Sequence, residues 1–238
     1  MTRRVMRRLA AVLSAAACWS SVAVGLPAAA QVPPSAEEIV AYRGLHAAAH
    51  RGDVAAIERL VAQSPAVREA CDAHRRTALH VATHARQHAS VKALLLAGAD
   101  SGSLDGARYD AVTIAAVAED ELTLGVLLTH GASAKLVTSR YDGTALIAAA
   151  HLGHASVVKQ LIAAGAPLDH VNNLHWTALI EAVVLGDGGP RHRATLRALL
   201  DAGASTKLTD RSGRTPLQLA RERGYVVMVQ MLEAAGAT

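Results

Sequence analysis

Apolar residues return along this chain at a long and nearly constant interval. The clearest column is leucine: Leu60, Leu94, Leu127, Leu161, Leu199 and Leu232. A second column precedes it and recurs at the same interval of roughly 33 residues, with a longer last step, a period typical of repeat arrays: Arg43, Thr77, Asp110, Thr144, Thr177 and Thr215. The pattern predicts six stacked units, near residues 43–76, 77–109, 110–143, 144–176, 177–214 and 215–238.

The residue types in the other columns predict two helices in each unit. Threonine is a favourable helix N-cap, and proline, as at Pro216, is tolerated at the first helical position. A column of small residues predicts that neighbouring first helices approach closely: Ala48, Ala82, Ala115, Ala149, Ala182 and Ala220. Glycine follows the second helix, where a left-handed residue is favourable: Gly98, Gly131, Gly165, Gly203 and Gly236. We therefore expect an all-α fold in which the units bury their leucines against one another.

The last unit carries the most complete pattern. It runs Asp210, Arg211, Ser212, Gly213, Arg214, Thr215, Pro216 and Leu217, followed by Ala220, Gly224, Val229, Leu232 and Gly236. This pattern resembles the ankyrin repeat, and Thr77, Leu79 and His80 match it in unit two. The resemblance implies an ankyrin-repeat solenoid of about six helix-turn-helix units, with hairpin-like loops and a concave inner-helix face. It also implies a module that binds other proteins through its loop tips and concave face.

Several positions depart from this pattern. Unit one has Arg43 at the threonine position and Ser64 and Pro65 in place of Gly-Ala, so we interpret it as the N-terminal cap, preceded by a lead-in helix within residues 31–42. Arg221 and Glu233 give the last unit a polar outer face, as expected of a C-terminal cap. Elsewhere Arg86 and Glu119 replace glycine. An insertion around Asp187 to His192 predicts an enlarged turn between the two helices of unit five.

The amino-terminal segment, residues 1–30, differs in kind from the repeats. Four arginines precede an apolar run from Leu9 to Val24, which is followed by Ala28, Ala29 and Ala30. This pattern is typical of a secretory signal peptide, and we expect cleavage after Ala30, a periplasmic or secreted protein, and no membrane span after cleavage. A transmembrane anchor, a twin-arginine signal and a lipoprotein site at Cys18 are the alternatives.

Removal of this segment changes the charge of the protein. The chain has 24 basic and 20 acidic residues, and the segment 1–30 holds four arginines and no acid, so 20 of each remain. A neutral mature chain argues against a nucleic-acid partner, which would require a clustered excess of Lys and Arg. Cys71 is then the remaining cysteine, so we expect no internal disulfide.

Candidate partner-binding residues follow from the loop tips and the first helices. Tyr, Trp and Arg are the residue types that dominate protein interfaces. Those on or beside the expected tips are Arg76, Tyr109, Arg140, Tyr141, Trp176 and Arg214. The groove-facing positions of the first helices add His50, His84 and His151. We predict another protein, of unknown identity, as the partner.

The histidines raise an alternative function. His80 and His84 are four residues apart and share one helical face, a spacing that can chelate Zn or Cu. However, the resemblance places His80 at a position whose imidazole makes internal hydrogen bonds, and three or four ligands are usually needed. We therefore predict no metal site, no cofactor and, because no nucleophile and base are recognisable together, no enzyme. A metal or small-ligand binding module that uses the groove histidines is the alternative.

Overall fold

Thirteen α-helices and one 3-10 helix form the regular structure of residues 31–238, which are the residues that the computed structural model describes. The predicted signal peptide, residues 1–30, lies outside them. Between residues 31 and 238 there is no β-strand, and an isolated bridge pairs Thr138 with Gly143. The helices are α1 Ala36–Ala41, α2 Gly44–Arg51, α3 Val54–Gln63, α4 Ala78–His84, α5 His88–Leu96, α6 Ala111–Val117, α7 Glu121–Thr129, α8 Ala145–Leu152, α9 Ala155–Ala163, α10 Ala178–Val184, α11 Pro190–Asp201, α12 Pro216–Glu222 and α13 Val226–Ala234, with the 3-10 helix at Pro65–Glu69 between α3 and α4.

The even-numbered helices, which we call the inner helices, begin at the predicted positions. Arg43, Thr77, Asp110, Thr144, Thr177 and Thr215 are their N-caps. The Asp110 carboxylate accepts the Thr113 N–H at 2.9 Å, so aspartate caps α6 as threonine caps the inner helices of units four, five and six. The prediction of six helix starts is confirmed.

The predicted apolar columns form one continuous core. Each inner helix packs against the next inner helix, and each outer helix, from α3 to α13, packs against the next outer helix. The alanine column is at most 1% exposed, and Leu94, Leu127, Leu161, Leu199 and Leu232 are fully buried. Leu60 is partly buried and packs against this core from α3, the first of the outer helices. Burial of each such leucine contributes about 1.5 to 3 kcal/mol.

In the units without the insertion, the turn between the inner and the outer helix contains a left-handed residue, although the residue type differs. Gly52 and Gly153 have φ of 77° and 71°, and Arg86 and Glu119 take the same left-handed conformation at 53° and 51°. A non-glycine residue is strained at such a φ. The Arg86 guanidinium donates to the Ala118 carbonyl of the next turn, which helps to hold this conformation.

The extra residues of unit five form both a turn and a piece of helix. The prediction of an enlarged turn is correct for Asp187–Gly189 but wrong for Pro190–His192, which form the first turn of α11. Proline is favourable there because the first helical N–H has no partner within the helix. The insertion contacts both neighbouring units, since the Tyr225 hydroxyl donates to the Gly186 carbonyl at 2.8 Å and His192 Nε2 lies 3.0 Å from the His151 carbonyl.

No helix within residues 31–238 has the length and apolar character needed to cross a bilayer.

Candidate functional site

A hairpin loop precedes each inner helix from unit two to unit six, and we number each hairpin and its tip by the unit whose inner helix follows it. A polar residue five positions before the N-cap of that helix shapes the loop. At Asp105, one carboxylate oxygen accepts the N–H groups of Ala107 and Tyr109, both at 2.9 Å. The residues of this column are Asp72, Asp105, Ser139, Asn172 and Asp210. Such side chains stabilise a tight turn by bonding the backbone N–H groups that follow. The turn-forming role of this column was not predicted from the sequence, although a short polar side chain recurs five residues before these N-caps.

The hairpin tips are also fixed to one another. The Gly106 N–H donates to the His74 carbonyl at 2.8 Å, and the Ser139 N–H donates to the Arg108 carbonyl at the same distance. The Asn173 N–H donates to the Tyr141 carbonyl at 2.9 Å. These bonds join the tips of units two to five into one row, so a partner that contacts several tips meets a preformed surface.

Arg76 is not an accessible tip residue. Its side chain is 1% exposed, and its guanidinium donates to Asp72 at 2.7 Å, to Glu38 at 2.5 Å and to the Val32 carbonyl at 3.1 Å. The Tyr42 hydroxyl donates to the same Asp72 carboxylate at 2.8 Å. The Ser35 N–H and, despite partial burial, the Arg76 guanidinium hold the pKa of Glu38 below its usual value. The expectation of an exposed Arg76 is wrong because the segment that contains α1 covers this tip.

Tyr109 is likewise packed into the array rather than presented at its surface. It is 9% exposed, and burial raises the pKa of its hydroxyl. Its backbone carbonyl lies 3.1 Å from His80 Nε2 of the preceding unit. The expectation that Tyr109 is an accessible contact residue is therefore wrong, because neighbouring units meet at this position.

The tips of units four and five keep their candidate residues at the surface. Arg140 is exposed, and its guanidinium carbon lies 5.2 Å from the centre of the Tyr141 ring, which is half-buried. Asn173 of the next tip donates its side-chain amide to the Arg140 carbonyl at 2.9 Å. Trp176 is half-buried and packs against the core. Arg214, in unit six, is 43% exposed and pairs with Asp210 at 2.7 Å.

The three groove histidines are half-buried on three of the inner helices: His50 on α2, His84 on α4 and His151 on α8. Burial, and then the nearby His80 ring, lowers the pKa of His84 to about 4. His151 Nδ1 lies 3.3 Å from a carboxylate oxygen of Glu181, a buried acid that also accepts the Asn172 amide at 3.1 Å. Glu181 was not among the residues predicted from the sequence.

His80 has no ring nitrogen left for a metal. Its Nδ1 accepts the Thr77 N–H at 3.1 Å, and its Nε2 faces the Tyr109 carbonyl. The candidate pair His80 and His84 is therefore wrong as a shared metal site, and the internal bonds expected of His80 are confirmed. Across residues 31–238 no three His, Cys, Asp or Glu side chains are grouped to hold a metal ion.

Comparison with known proteins agrees with this architecture. The family model for ankyrin repeats in three copies matches residues 36–105 and 112–210. The chain is 38% identical over 191 residues to the ankyrin repeat protein YahD of Escherichia coli K12, a match that spans 80% of this chain and 94% of that protein. An ankyrin repeat domain from Acinetobacter baumannii AYE has a similar structure, with a TM-score of 0.77, 42% identity, and coverage of 82% and 98% of the two chains.

A further solved chain comes from the complex of a predatory endopeptidase with an immunity protein in Bdellovibrio bacteriovorus. It has a TM-score of 0.67 and 22% identity, and covers 81% of this chain and 98% of that one. This likeness shows the fold alone. Ankyrin repeats are typically non-catalytic protein-interaction modules. From the family match and the YahD similarity together, the chain belongs to the ankyrin-repeat family.

Proposed function

We propose that this protein is an exported, non-catalytic interaction module that binds a partner protein through its hairpin tips and the concave face of its inner helices. It acts in the periplasm or outside the cell. Binding begins at the tips of units four and five, which contact the partner directly. The inner-helix positions that carry His50, His84 and His151 extend the contact into the groove.

The observation that carries this proposal is the stacked pair Arg140 and Tyr141. The Arg140 guanidinium carbon and the Tyr141 ring centre are 5.2 Å apart, and bonds from Asn173 fix both of their backbone carbonyls to the next tip. Arginine and tyrosine are enriched among the residues that dominate binding energy. Because the patch is already ordered, a partner loses little conformational freedom of this chain when it binds.

Export rests on the pattern of residues 1–30. Arginines, an apolar run and small residues at Ala28 and Ala30 follow one another in the order that signal peptidases recognise. A protein interaction outside the cytoplasm would require a fold that does not depend on cytosolic cofactors. The core of stacked apolar columns in residues 31–238 is compatible with that requirement.

The binding proposal is tested by replacing Tyr141 with alanine in the full chain. We expect capture of the partner by affinity purification to weaken by a factor of about 30, which is the loss of one hot-spot residue of about 2 kcal/mol. Lys159→Ala is the matched control, since Lys159 is exposed on the outer helix α9. Trp176 is unsuitable for this test because it packs against the core. Equal capture by the Tyr141→Ala and Lys159→Ala variants would contradict the proposal.

The export proposal is tested separately. Amino-terminal sequencing of protein from the periplasm or medium should give a mature chain that begins at Gln31. A variant that carries Ala28→Lys and Ala30→Lys should accumulate as the uncleaved precursor, because small residues are needed at both positions. An intact amino terminus together with a cytoplasmic location would contradict export and would leave the binding proposal unaffected.

A further inference from the structure

The hairpin tips carry exposed basic side chains along the whole array. We name this row the tip ridge, and it consists of Arg75, Arg108, Arg140, His175 and Arg211. Every tip from unit two to unit six contributes one member, and all five side chains are exposed. Neighbouring members belong to adjacent packed units, and packed helices are about 8 to 10 Å apart. The tip ridge therefore places one basic side chain on each consecutive tip of the array.

The acids of the same hairpins do not neutralise this ridge at its surface. Asp72, Asp105 and Asp210 point into their own turns, where their oxygens accept backbone N–H groups, and Asp105 and Asp210 are 6% exposed. Asp142 is the accessible acid of the tips, and it pairs with Arg108 at 3.2 Å. Both side chains of that pair are about half exposed, and such a surface pair is weak enough for another carboxylate to replace it.

The other cations of the ridge are held by contacts that leave their charge available. Arg140 lies over the Tyr141 ring, and Arg211 donates to the Asn173 carbonyl of the preceding tip. A ring face and a neutral carbonyl orient a guanidinium without cancelling its charge. Arg75 lies at the border of a cleft of about 330 Å³ between the tips of units two and three, which is also lined by His74 and Ala107.

The backbone at several ridge positions is unfavourable for the residues that occupy them. Unit six has Gly213 two residues before the N-cap, with φ of 75°. The aligned residues Arg75, Arg108 and His175 have φ of 59°, 65° and 64°, and Asp142 of unit four has 51°. Glycine adopts this conformation without strain, whereas a residue with a Cβ does not. Charged or ionisable side chains thus occupy strained positions that glycine fills in unit six, and such strain is concentrated at binding surfaces.

We infer that the tip ridge recognises an acidic segment of the partner protein, with the arginines bonding its carboxylates. The inference rests on the proposed function and adds the chemistry of the partner. An acidic protein fits better than a nucleic acid because residues 31–238 have 20 basic and 20 acidic residues. Four of these 20 basic residues are the ridge arginines, so 16 basic and 20 acidic residues remain elsewhere, and a long polyanion that extends beyond the ridge would meet a net negative region.

The test uses the full chain and a short fluorescein-labelled peptide of alternating glutamate and glycine, followed by fluorescence anisotropy. A ridge variant carries Arg75→Gly, Arg108→Gly and Arg140→Ala. The control variant removes the same number of charges from outer helices, through Arg59→Ala, Lys92→Ala and Lys159→Ala, all of them exposed. We expect the ridge variant to bind the peptide about tenfold more weakly, and the control variant to bind it as the unchanged protein does. Added salt should weaken the binding.

Three outcomes would overturn the inference. These are no peptide binding at low salt, an equal loss in the ridge and control variants, and tighter binding of a single-stranded DNA oligonucleotide that depends on the same three arginines. The ridge variant should keep an equal or higher melting temperature, because glycine relieves the strain at residues 75 and 108, and this excludes misfolding as the cause. If a variant that carries Arg75→Gly and Arg108→Gly but keeps Arg140 still captures the partner while Tyr141→Ala does not, the inference fails and the proposed function stands.

Discussion

The hairpins of units two and six contain the same pair of residues in different surroundings. In both, an aspartate is followed four residues later by an arginine that donates to its carboxylate: Asp72 and Arg76 at 2.7 Å, and Asp210 and Arg214 at 2.7 Å. The Arg76 side chain is 1% exposed, and the Arg214 side chain is 43% exposed. The difference comes from α1, which brings Glu38 onto the guanidinium of Arg76, while Arg214 reaches Glu222 of its own unit at 3.0 Å.

This contrast shows that one local motif serves two purposes. Where a further segment covers the hairpin, the ion pair becomes part of the core and is inaccessible to a partner. Where the hairpin is uncovered, the same pair remains at the surface and can take part in binding. The N-terminal end of the array is therefore closed by α1, and we expect the uncovered tips from unit three onwards to provide most of the binding surface.

Loss of Arg76 should have the largest effect. We expect Arg76→Ala to lower the free energy of unfolding by about 3 to 5 kcal/mol, because the carboxylates of Asp72 and Glu38, whose side chains are 10% and 26% exposed, lose their cation. Chemical denaturation of the two proteins at neutral pH measures this difference. A loss below about 1 kcal/mol, the value of an ordinary surface ion pair, would remove the distinction between the two hairpins.

The next largest effect should be the pH dependence of the free energy of unfolding that His84 causes in unit two, near α1. The pKa of His84 is lowered from 6.5 to about 4, so the unfolded chain takes up this proton before the folded chain does as the pH falls. The free energy of unfolding should therefore decrease between pH 6.5 and pH 4, by up to about 3 kcal/mol from this residue. Unit six has Glu222 at the aligned position and lacks this effect.

The His84→Gln variant isolates that contribution. Its free energy of unfolding should decrease less over the same pH range, as measured by denaturant titration at each pH. His50→Gln, at the aligned position of unit one, controls for the replacement of a groove imidazole. Identical pH profiles for His84→Gln and the unchanged protein would show that His84 is protonated equally in both states.

Substitutions at the left-handed tip position should change the free energy of unfolding by smaller amounts, lowering it in the hairpin of unit six but not in that of unit two. Gly213→Ala should lower the free energy of unfolding by about 1 to 2 kcal/mol, because φ is 75° there, although an added Cβ would meet no atom within 4 Å. Arg75→Gly should leave it unchanged or raise it by up to about 1 kcal/mol, since relief of strain exceeds the added backbone entropy. Thermal denaturation compares both. Destabilisation by Arg75→Gly would mean that the arginine side chain holds the fold.

Arg214→Ala should have the smallest effect. We expect a loss of about 1 kcal/mol or less, because 43% of the Arg214 side chain is exposed to solvent and Asp210 keeps its bonds to the N–H groups of Ser212 and Arg214. The measurement is the same denaturant titration as for Arg76→Ala. A loss as large as that of Arg76→Ala would show that exposure does not distinguish the two pairs.

The repeat architecture could be predicted because its determinants are local and periodic. Thr144 and Thr177 cap their helices, Gly98 has φ of 84°, and Leu161 is fully buried, as the spacing of these residues predicted. Asp110, which replaces threonine in unit three, leaves the helix start in place, because its carboxylate accepts the N–H three residues later as the threonine hydroxyl does in unit four. Each of these properties depends on a few neighbouring residues and on the repeat that follows.

The accessibility of the tip residues could not be predicted in the same way. Arg76 and Arg214 occupy the same position of the repeat, and only the contact of Arg76 with Glu38, which is distant in the sequence, decides which of them is buried. Tyr109 was assigned to the surface by its position, but the neighbouring units enclose it. In the structure α1 begins after a capping box of Ser35 and Glu38. Its docking onto the second hairpin depends on tertiary packing.

Photo-crosslinking in cells that produce the protein tests the central claim that the uncovered tips bind a partner protein. A photoreactive amino acid is placed at position 140, on the tip of unit four, and in a second strain at position 159, on the outer helix α9. We predict that position 140 crosslinks to a distinct partner protein and that position 159 does not. Crosslinking from position 159 without any from position 140 would contradict the account.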